Sequence, residues 1–132
     1  MSLMAEGPTT EPPFLLDAAR VVAFAVLPQG PDIHFSVVVE GVSLDPRSVS
    51  RLVVAANLVD DAIFLLHCND DWQTVAAAPH ADAVAARAAA AEAYAGIPIA
   101  WIPYRSLTPA EEREIEATRV FLRELAAGGL AQ

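Results

Sequence analysis

The stretch AIFLLHCNDDWQTVAAA (62–78) decides the fold, because it contains two short apolar runs separated by turn residues. AIFLLHC (62–68) is apolar and rich in residues that favour β-structure, which predicts a strand. NDD (69–71) predicts a turn, since Asn and Asp side chains bond to nearby backbone groups. WQTVAAA (72–78) then predicts the returning strand of an antiparallel hairpin.

Two further strands are predicted upstream, in ARVVAFAVL (19–27) and IHFSVVVEGV (33–42). The second run alternates apolar and polar residues, which is typical of a half-buried strand. The Gly- and Pro-containing loop between the two runs predicts that they pair as a hairpin.

Residues 43–61 are ambiguous between helix and strand. Asp45 followed by Pro46 resembles a helix start, with a cap residue and proline at the first helical position. LVV (52–54), however, favours β-structure. We predict a helix here and keep a strand over 46–59 as the alternative.

The C-terminal half predicts two helices separated by a short strand. Residues 80–96 are rich in alanine and end at Gly96, which favours a helix. Residues 97–104 predict an edge strand, which Pro103 interrupts. The inward stripe of the first helix is expected to contain Val84, Ala88, Ala91 and Ala95.

The last helix is predicted over 107–129 from a strong start signal. Thr108 is the cap, Pro109 the first helical residue and Glu111 the third residue after the cap, as in a capping box. Gly128 is expected to mark its end. The inward stripe is expected to contain Ile115, Thr118, Leu122 and Leu125, with Phe121 beside them.

These elements indicate an α+β fold with a mainly antiparallel sheet of about five strands, covered by two or three helices in the order ββ(α)ββαβα. The 132 residues match the size of one domain. We expect a disordered Pro- and Gly-rich tail over 1–13 and a single domain over 14–132.

Charge excludes several classes of partner. The net charge is −9, from 17 acidic residues against eight arginines and no lysine. Such a surface disfavours nucleic acid and anionic membranes and suits a basic protein partner. The opening MSLMAEG predicts no secretory signal, and the lone Cys68 predicts a reduced thiol, so we expect a cytoplasmic location. Abundant alanine, with arginine in place of lysine, is typical of GC-rich bacteria.

HCNDDW (67–72) raises the question of a catalytic or metal site. His67 and Cys68 are adjacent on a predicted strand and point to opposite faces, so they are not expected to form a nucleophile and base pair. Asp60 and Asp61 lie about 20 Å from Asp70 and Asp71, at the other end of the same strand. We therefore expect a turn, a buried thiol beside a partly exposed imidazole, and no metal or cofactor.

WIPYRSLT (101–108) offers the best candidate ligand site. A helix N-terminus attracts anions, and Arg105 would add a bidentate donor beside Trp101 and Tyr104. His67 is the candidate general base for such a site. The competing interpretation is that the capping box already satisfies this helix terminus.

We expect a non-catalytic interaction or accessory protein, homodimeric, with an acidic surface suited to a basic protein partner. The alternative is a small anionic-ligand-binding domain or an enzyme with a site around Trp101, Tyr104, Arg105 and His67. A pocket that gathers His67 and Arg105 would favour the alternative.

Overall fold

An antiparallel sheet carries most of the structure. The computed structural model describes residues 11–28, 37–39, 42–44, 48–94 and 97–130. Its elements are β1 (Leu15–Leu16), β2 (Ala19–Val26), β3 (Val37–Val39), β4 (Val42–Leu44), β5 (Arg51–Asn57), β6 (Ile63–Cys68), β7 (Thr74–His80), α1 (Ala83–Ala93), β8 (Ile102–Pro103) and α2 (Pro109–Leu130).

The strands of the main sheet lie in the order β1-β2-β5-β6-β7, and β8 also pairs with β2. Each pairing is antiparallel. β3 and β4 form a separate two-stranded sheet. With α1 and α2, this confirms the predicted α+β class and its mainly antiparallel sheet.

The predicted hairpin over 62–78 is confirmed as β6 and β7. Leu65 pairs with Ala78, and His67 with Ala76. In the turn, Asn69 Oδ1 accepts hydrogen bonds from the backbone N–H groups of Asp71 and Gln73, at 2.9 and 3.0 Å. HCNDDW is therefore the end of a strand followed by a turn that its own asparagine stabilises.

The predicted helix over 43–61 is wrong, because residues 51–57 form β5 in the centre of the sheet. β5 lies between β2 and β6, so both of its edges are paired. The two core clusters cover its two faces, and the four residues 52–55 are each 0 % exposed. A continuous apolar run is typical of a strand buried on both faces, and that burial outweighs a possible cap. Asp45 and Pro46 lie outside the described residues.

The expected pairing of 19–27 with 33–42 is also wrong over the described part of that run. β2 pairs with β1, β5 and β8, whereas Val37–Val39 pairs with β4. β5 has seven residues and is buried on both faces, so it forms more contacts with β2 than the three-residue β3 could form in the same place. Residues 33–36 of the predicted strand lie outside the described residues.

One face of the sheet, here called the α1 face, packs under α1. Asp82 caps the helix by accepting a hydrogen bond from the Ala85 N–H at 2.8 Å. α1 buries Ala86, Ala90 and Tyr94, which follow one another at four-residue spacing.

The predicted inward stripe of α1 is wrong in phase. Its three described members lie on the exposed side of the helix: Val84, Ala88 and Ala91. Ala95 lies outside the described residues. Because alanine is equally compatible with a buried and an exposed position, the sequence of α1 does not indicate which side of the helix faces the sheet. The bulky side chain of Tyr94, which is 0 % exposed, determines that side.

The opposite face of the sheet, here called the aromatic face, is built around Phe24. The ring of Trp72 meets it edge-on at 5.7 Å between centroids, and Tyr104 at 6.1 Å. Pro12 is fully buried, and its carbonyl accepts a hydrogen bond from the Tyr104 hydroxyl at 2.8 Å. Pro12 therefore packs against the domain although it falls within the tail predicted over 1–13; residues 1–10 of that tail lie outside the described residues.

α2 begins as predicted, with a capping box. Thr108 Oγ1 accepts from the Glu111 N–H at 3.1 Å, and Glu111 Oε1 accepts from the Thr108 N–H at 2.9 Å. The helix continues past the predicted end at Gly128 to Leu130. A glycine inside a helix lowers the stability of the helix but does not have to end it.

α2 contacts the rest of the molecule along one side. Ile115 is buried, Arg119 Nε donates to the Leu58 carbonyl at 3.3 Å, and Arg123 Nε donates to the Val59 carbonyl at 3.1 Å. These bonds attach the helix to the turn after β5 and leave its other side facing outward.

Candidate functional site

His67 and Cys68 lie on opposite faces of β6, as predicted. His67 Nδ1 is 2.6 Å from the Tyr94 hydroxyl on the α1 face, whereas Cys68 belongs to the buried cluster of the aromatic face. The expectation of a partly exposed imidazole is wrong, because His67 is 2 % exposed. Tyr94 covers the ring, and the sequence offered no signal for this long-range contact.

Burial sets the protonation of both groups. Burial, and secondarily the nearby His80, lowers the pKa of His67 to about 4. Burial raises the pKa of the Cys68 thiol to about 12, against an opposing hydrogen bond with Thr74. At neutral pH the imidazole is neutral and the thiol protonated, so this pair supplies no activated nucleophile.

The acidic pairs at the two ends of β6 serve turns. Asp60 Oδ1 accepts a hydrogen bond from the Ala62 N–H at 3.0 Å. Asp70 accepts one from the Ser50 hydroxyl. Within 11–28, 37–39, 42–44, 48–94 and 97–130, no group of three or more His, Cys, Asp or Glu residues is placed to hold a metal ion.

The four predicted ligand-binding residues are divided between two places. Tyr104 and Arg105 line a cavity of about 280 Å³ together with Arg20, Val21, Val22 and Leu107. Trp101 packs against the cluster of the α1 face, and the Arg87 guanidinium lies 5.8 Å from the centroid of its ring. His67 lies beside Tyr94 on that same face. The candidate general base His67 and the anion-binding candidate Arg105 therefore lie in different places and do not form one site.

Arg105 binds carboxylates of its own chain. Its Nη1 and Nη2 donate to the two oxygens of Glu111 at 2.8 and 2.9 Å, and its Nε donates to Glu11 at 3.2 Å. The hydrogen bonds from Arg105 have the largest effect on the pKa of Glu111, and the backbone hydrogen bond from Thr108 has the next largest. Together they lower this pKa to about 2. Arg105 therefore binds carboxylates beside this helix start, as its position suggested. The carboxylates are those of Glu111 and Glu11 in the same chain, so they already occupy its donor groups.

Sequence reasoning missed a buried arginine at the start of β5. Arg51 is only 9 % exposed, and its guanidinium lies 5.4 Å from the centroid of the Trp72 ring. Its Nη1 lies 3.9 Å from Asp70, and its buried Nε has no hydrogen-bond partner in the part of the chain that the structure describes. An arginine directly before an apolar run was the available signal. The contact holds the β6–β7 turn against the end of the sheet.

A polar cavity of about 330 Å³ lies beside this contact. Its lining residues are Ser48, Ser50, Asn69, Asp70, Asp71 and Val75. Ser50 is 3 % exposed and donates its hydroxyl hydrogen to Asp70, so the deepest polar group of the cavity is already bonded. The arrangement stabilises the turn and presents two carboxylates to solvent.

Large apolar side chains are exposed along the outward side of α2. Phe121 is 61 % exposed, Leu125 59 % and Val120 46 %. We define the outer face of α2 as the exposed residues that share this side of the helix: Glu114, Ala117, Phe121, Leu125 and Gly128.

The predicted inward stripe of α2 is therefore only partly right. Ile115 is buried, and Thr118 and Leu122 are half-buried, but Leu125 faces outward. The helix turns Ile115 and Arg119 toward the sheet, which rotates Leu125 away from it. The available signal was that Phe121 and Leu125, four residues apart, form an apolar pair separate from Ile115 and Leu122.

Comparison with protein-family models, with curated proteins and with solved structures found no match. α2 has 22 residues, and no helix in the described ranges is both long and apolar enough to cross a membrane. The function is therefore inferred from the geometry of this chain.

Proposed function

We propose that this protein is a non-catalytic interaction protein and that it binds other proteins through the outer face of α2. The observation that carries the proposal is the exposure of Phe121 and Leu125, at 61 % and 59 %, one helical turn apart. The central strand β5, by contrast, buries residues 52–55 completely. Contiguous exposed apolar side chains on a folded domain are typical of interaction surfaces, and aromatic residues are enriched among their energetic centres.

The chemistry of the buried titratable groups supports a non-catalytic role. Cys68 is a protonated buried thiol, and His67 uses its Nδ1 in a contact with Tyr94. The two side chains lie on opposite faces of the sheet, so neither can activate the other.

The charge of the chain supports a basic protein partner, and its free cysteine supports a cytoplasmic location. The net charge of −9 favours encounter with a positively charged surface. Glu114 lies on the outer face of α2, and Glu124 is exposed beside it, so basic residues around an apolar contact would complement this helix. A free, buried Cys68 is compatible with a reducing bacterial cytoplasm.

Binding of a small anion near Tyr104 and Arg105 is less well supported. The guanidinium already holds Glu111 and Glu11, so an external anion would have to displace two carboxylates. We therefore place the binding surface on α2.

Site-specific photocrosslinking in the cells that produce the protein tests the proposal. A photoreactive phenylalanine analogue replaces Phe121 in one variant and Val84 in a matched control, since Val84 is a 76 % exposed apolar residue on α1. We expect a discrete protein adduct from position 121 and none from position 84. Absence of an adduct at 121, or the same adducts at both positions, would refute the proposal.

A further inference from the structure

We propose that Tyr104 and Arg105 form part of a binding site for an extended, acidic, proline-containing segment of another protein. Residues 11–13 of this chain, here called the strap, occupy that site until such a segment displaces them. Tyr104 packs on the aromatic face of the sheet, and neither residue belongs to the outer face of α2. The inference therefore goes beyond the proposed function and does not depend on it.

The strap is held by side chains, as a peptide ligand would be. The Tyr104 hydroxyl donates a hydrogen bond to the Pro12 carbonyl at 2.8 Å and lies 3.5 Å from the Glu11 carboxylate. Arg105 Nε donates to the same carboxylate at 3.2 Å. The strap belongs to no helix or strand, and its two prolines have no N–H group to donate to a sheet. A segment of another protein with the same residues would form the same bonds.

The sequence of the strap favours an extended conformation before it binds. Proline holds its φ angle at about −65°, and a residue before proline prefers extended backbone. Glu11 and Pro12 each precede a proline. Segments of this kind are preformed, so they lose little conformational entropy when they dock beside aromatic side chains. Pro12 is fully buried and Pro13 is exposed, so one proline contacts the protein and the other restricts the chain.

A cavity beside the strap indicates that the ligand is acidic. The cavity of about 280 Å³ is lined by Tyr104 and Arg105, which also hold the strap, and by Arg20. Two of the eight arginines of a chain with net charge −9 therefore meet at one place. Arg20 Nη2 lies 3.6 Å from Glu112, which is longer than an ordinary hydrogen bond, so this ion pair leaves its donors available to a ligand. A second acidic residue beside the first would place its carboxylate near Arg20.

Glu111 holds Arg105 in the orientation that binds the strap. Its two oxygens accept hydrogen bonds from Nη1 and Nη2 at 2.8 and 2.9 Å, which leaves Nε for Glu11. A segment that replaces the strap keeps the bond with Glu111 and exchanges only the Glu11 carboxylate for its own. A free small anion lacks the proline contacts, so it competes less well than a peptide segment.

Covalent attachment makes the strap a strong competitor. A short connection gives an attached segment an effective concentration in the millimolar range. The native chain is therefore expected to bind a free peptide weakly, and a chain with a weakened strap to bind it more tightly. The strap thus acts as an autoinhibitory element that only a segment with more contacts removes.

Fluorescence anisotropy with a labelled peptide of the sequence TTEPPF (9–14) tests the site. Pro12→Gly in the full chain removes the buried ring and the rigid backbone of the strap, so this variant should bind the peptide at least about tenfold more tightly than the native chain. Pro79→Gly is the matched control, because it makes the same change at an exposed proline of β7. It should bind the peptide within about twofold of the native chain.

A second peptide tests the acidic class of the ligand. It has aspartate in place of both threonines, and it should bind Pro12→Gly about threefold more tightly than the first peptide. Arg20→Gln, added to Pro12→Gly, should abolish that difference. A strap that serves only to stabilise the domain would not distinguish the two peptides, so equal binding of both overturns the proposed ligand.

Urea unfolding shows whether Pro12→Gly folds. If it does not, Glu11→Gln replaces it, since this variant loses only a partly exposed ion pair, and it should bind the first peptide about threefold more tightly than the native chain. No gain in affinity in the folded variant overturns the proposal. A native dimer that Pro12→Gly converts to a monomer in sedimentation also overturns it, because the site would then hold the strap of a second copy. None of these variants alters the outer face of α2, so crosslinking at position 121 tests the proposed function separately.

Discussion

The buried imidazole of His67 is expected to make the protein less stable in mild acid. Burial, and secondarily His80, lowers the pKa of His67 from its ordinary value of 6.5 to about 4. Between these values the unfolded chain binds a proton that the folded chain does not, so the free energy of unfolding falls as pH decreases. The loss begins below pH 6.5 and is complete below about pH 4.

The size of the effect follows from the two pKa values. For pKa values of 6.5 unfolded and about 4 folded, the protein at pH 5 should have lost about 2 kcal/mol relative to pH 7.5. Because the side chain is 2 % exposed, little solvent screening reduces this figure. It is a large share of the stability of a small domain, which is about 5–15 kcal/mol.

Urea unfolding at several pH values, for the native chain and for His67→Gln, measures the difference. Glutamine can bond to the Tyr94 hydroxyl but does not titrate, so the variant should lose about 2 kcal/mol less between pH 7.5 and pH 5. Tyr94→Phe is the control, because it removes the hydrogen bond while leaving most of the burial, and its pH dependence should persist. Parallel stability curves for the native chain and His67→Gln would refute the reasoning.

Three further predictions concern the turn, the ion pair and the thiol. Ala18→Gly should raise the free energy of unfolding by about 1 kcal/mol, since Asp17 and Ala18 form the β1–β2 turn with φ angles of 53° and 62°; a lower urea midpoint would contradict this. Arg105→Gln should raise the pKa of Glu111 from about 2 toward its ordinary range, and an NMR titration that finds no change would show that the ion pair is absent. Cys68 should react with a thiol reagent at pH 8 only as fast as the protein unfolds, because burial raises its pKa to about 12; rapid labelling of the native protein would contradict its burial.

Local chemistry was enough to predict the elements with strong sequence signals. The β6–β7 hairpin follows from two apolar runs around NDD (69–71), and the start of α2 follows from Thr108, Pro109 and Glu111. In these segments the bonds that fix the structure lie within a few residues of one another. The strand over residues 51–57 was missed because it depends on pairing with β2 and β6 and on the two core clusters that bury its faces, all of which involve residues far away in sequence.

The phase of the helices and the composition of the site depended on contacts far apart in sequence. α1 is nearly all alanine, so only Tyr94, which meets His67 twenty-seven positions away, fixes which side faces the sheet. Arg119 and Arg123 rotate α2 through bonds to the carbonyls of residues 58 and 59, and this rotation exposes Leu125. The aromatic and basic residues near the start of α2 were recognised, but their partner Glu11 lay in a segment expected to be a tail.

The place where β2 meets β5 makes the domain tolerant of changes in length. The Leu27 N–H bonds to the Ser50 carbonyl at 2.9 Å, so the chain leaves the sheet after β2 and returns to it at almost the same point. β3 and β4, which lie between these two positions in the sequence, pair with each other in a separate sheet. Lengthening the connection between the two positions costs little, about 0.6 kcal/mol for each doubling. Because Leu27, Val49 and Ser50 at the junction are buried, a reporter or a second binding element is better inserted between Val39 and Val42, within the β3–β4 connection, than at the junction itself.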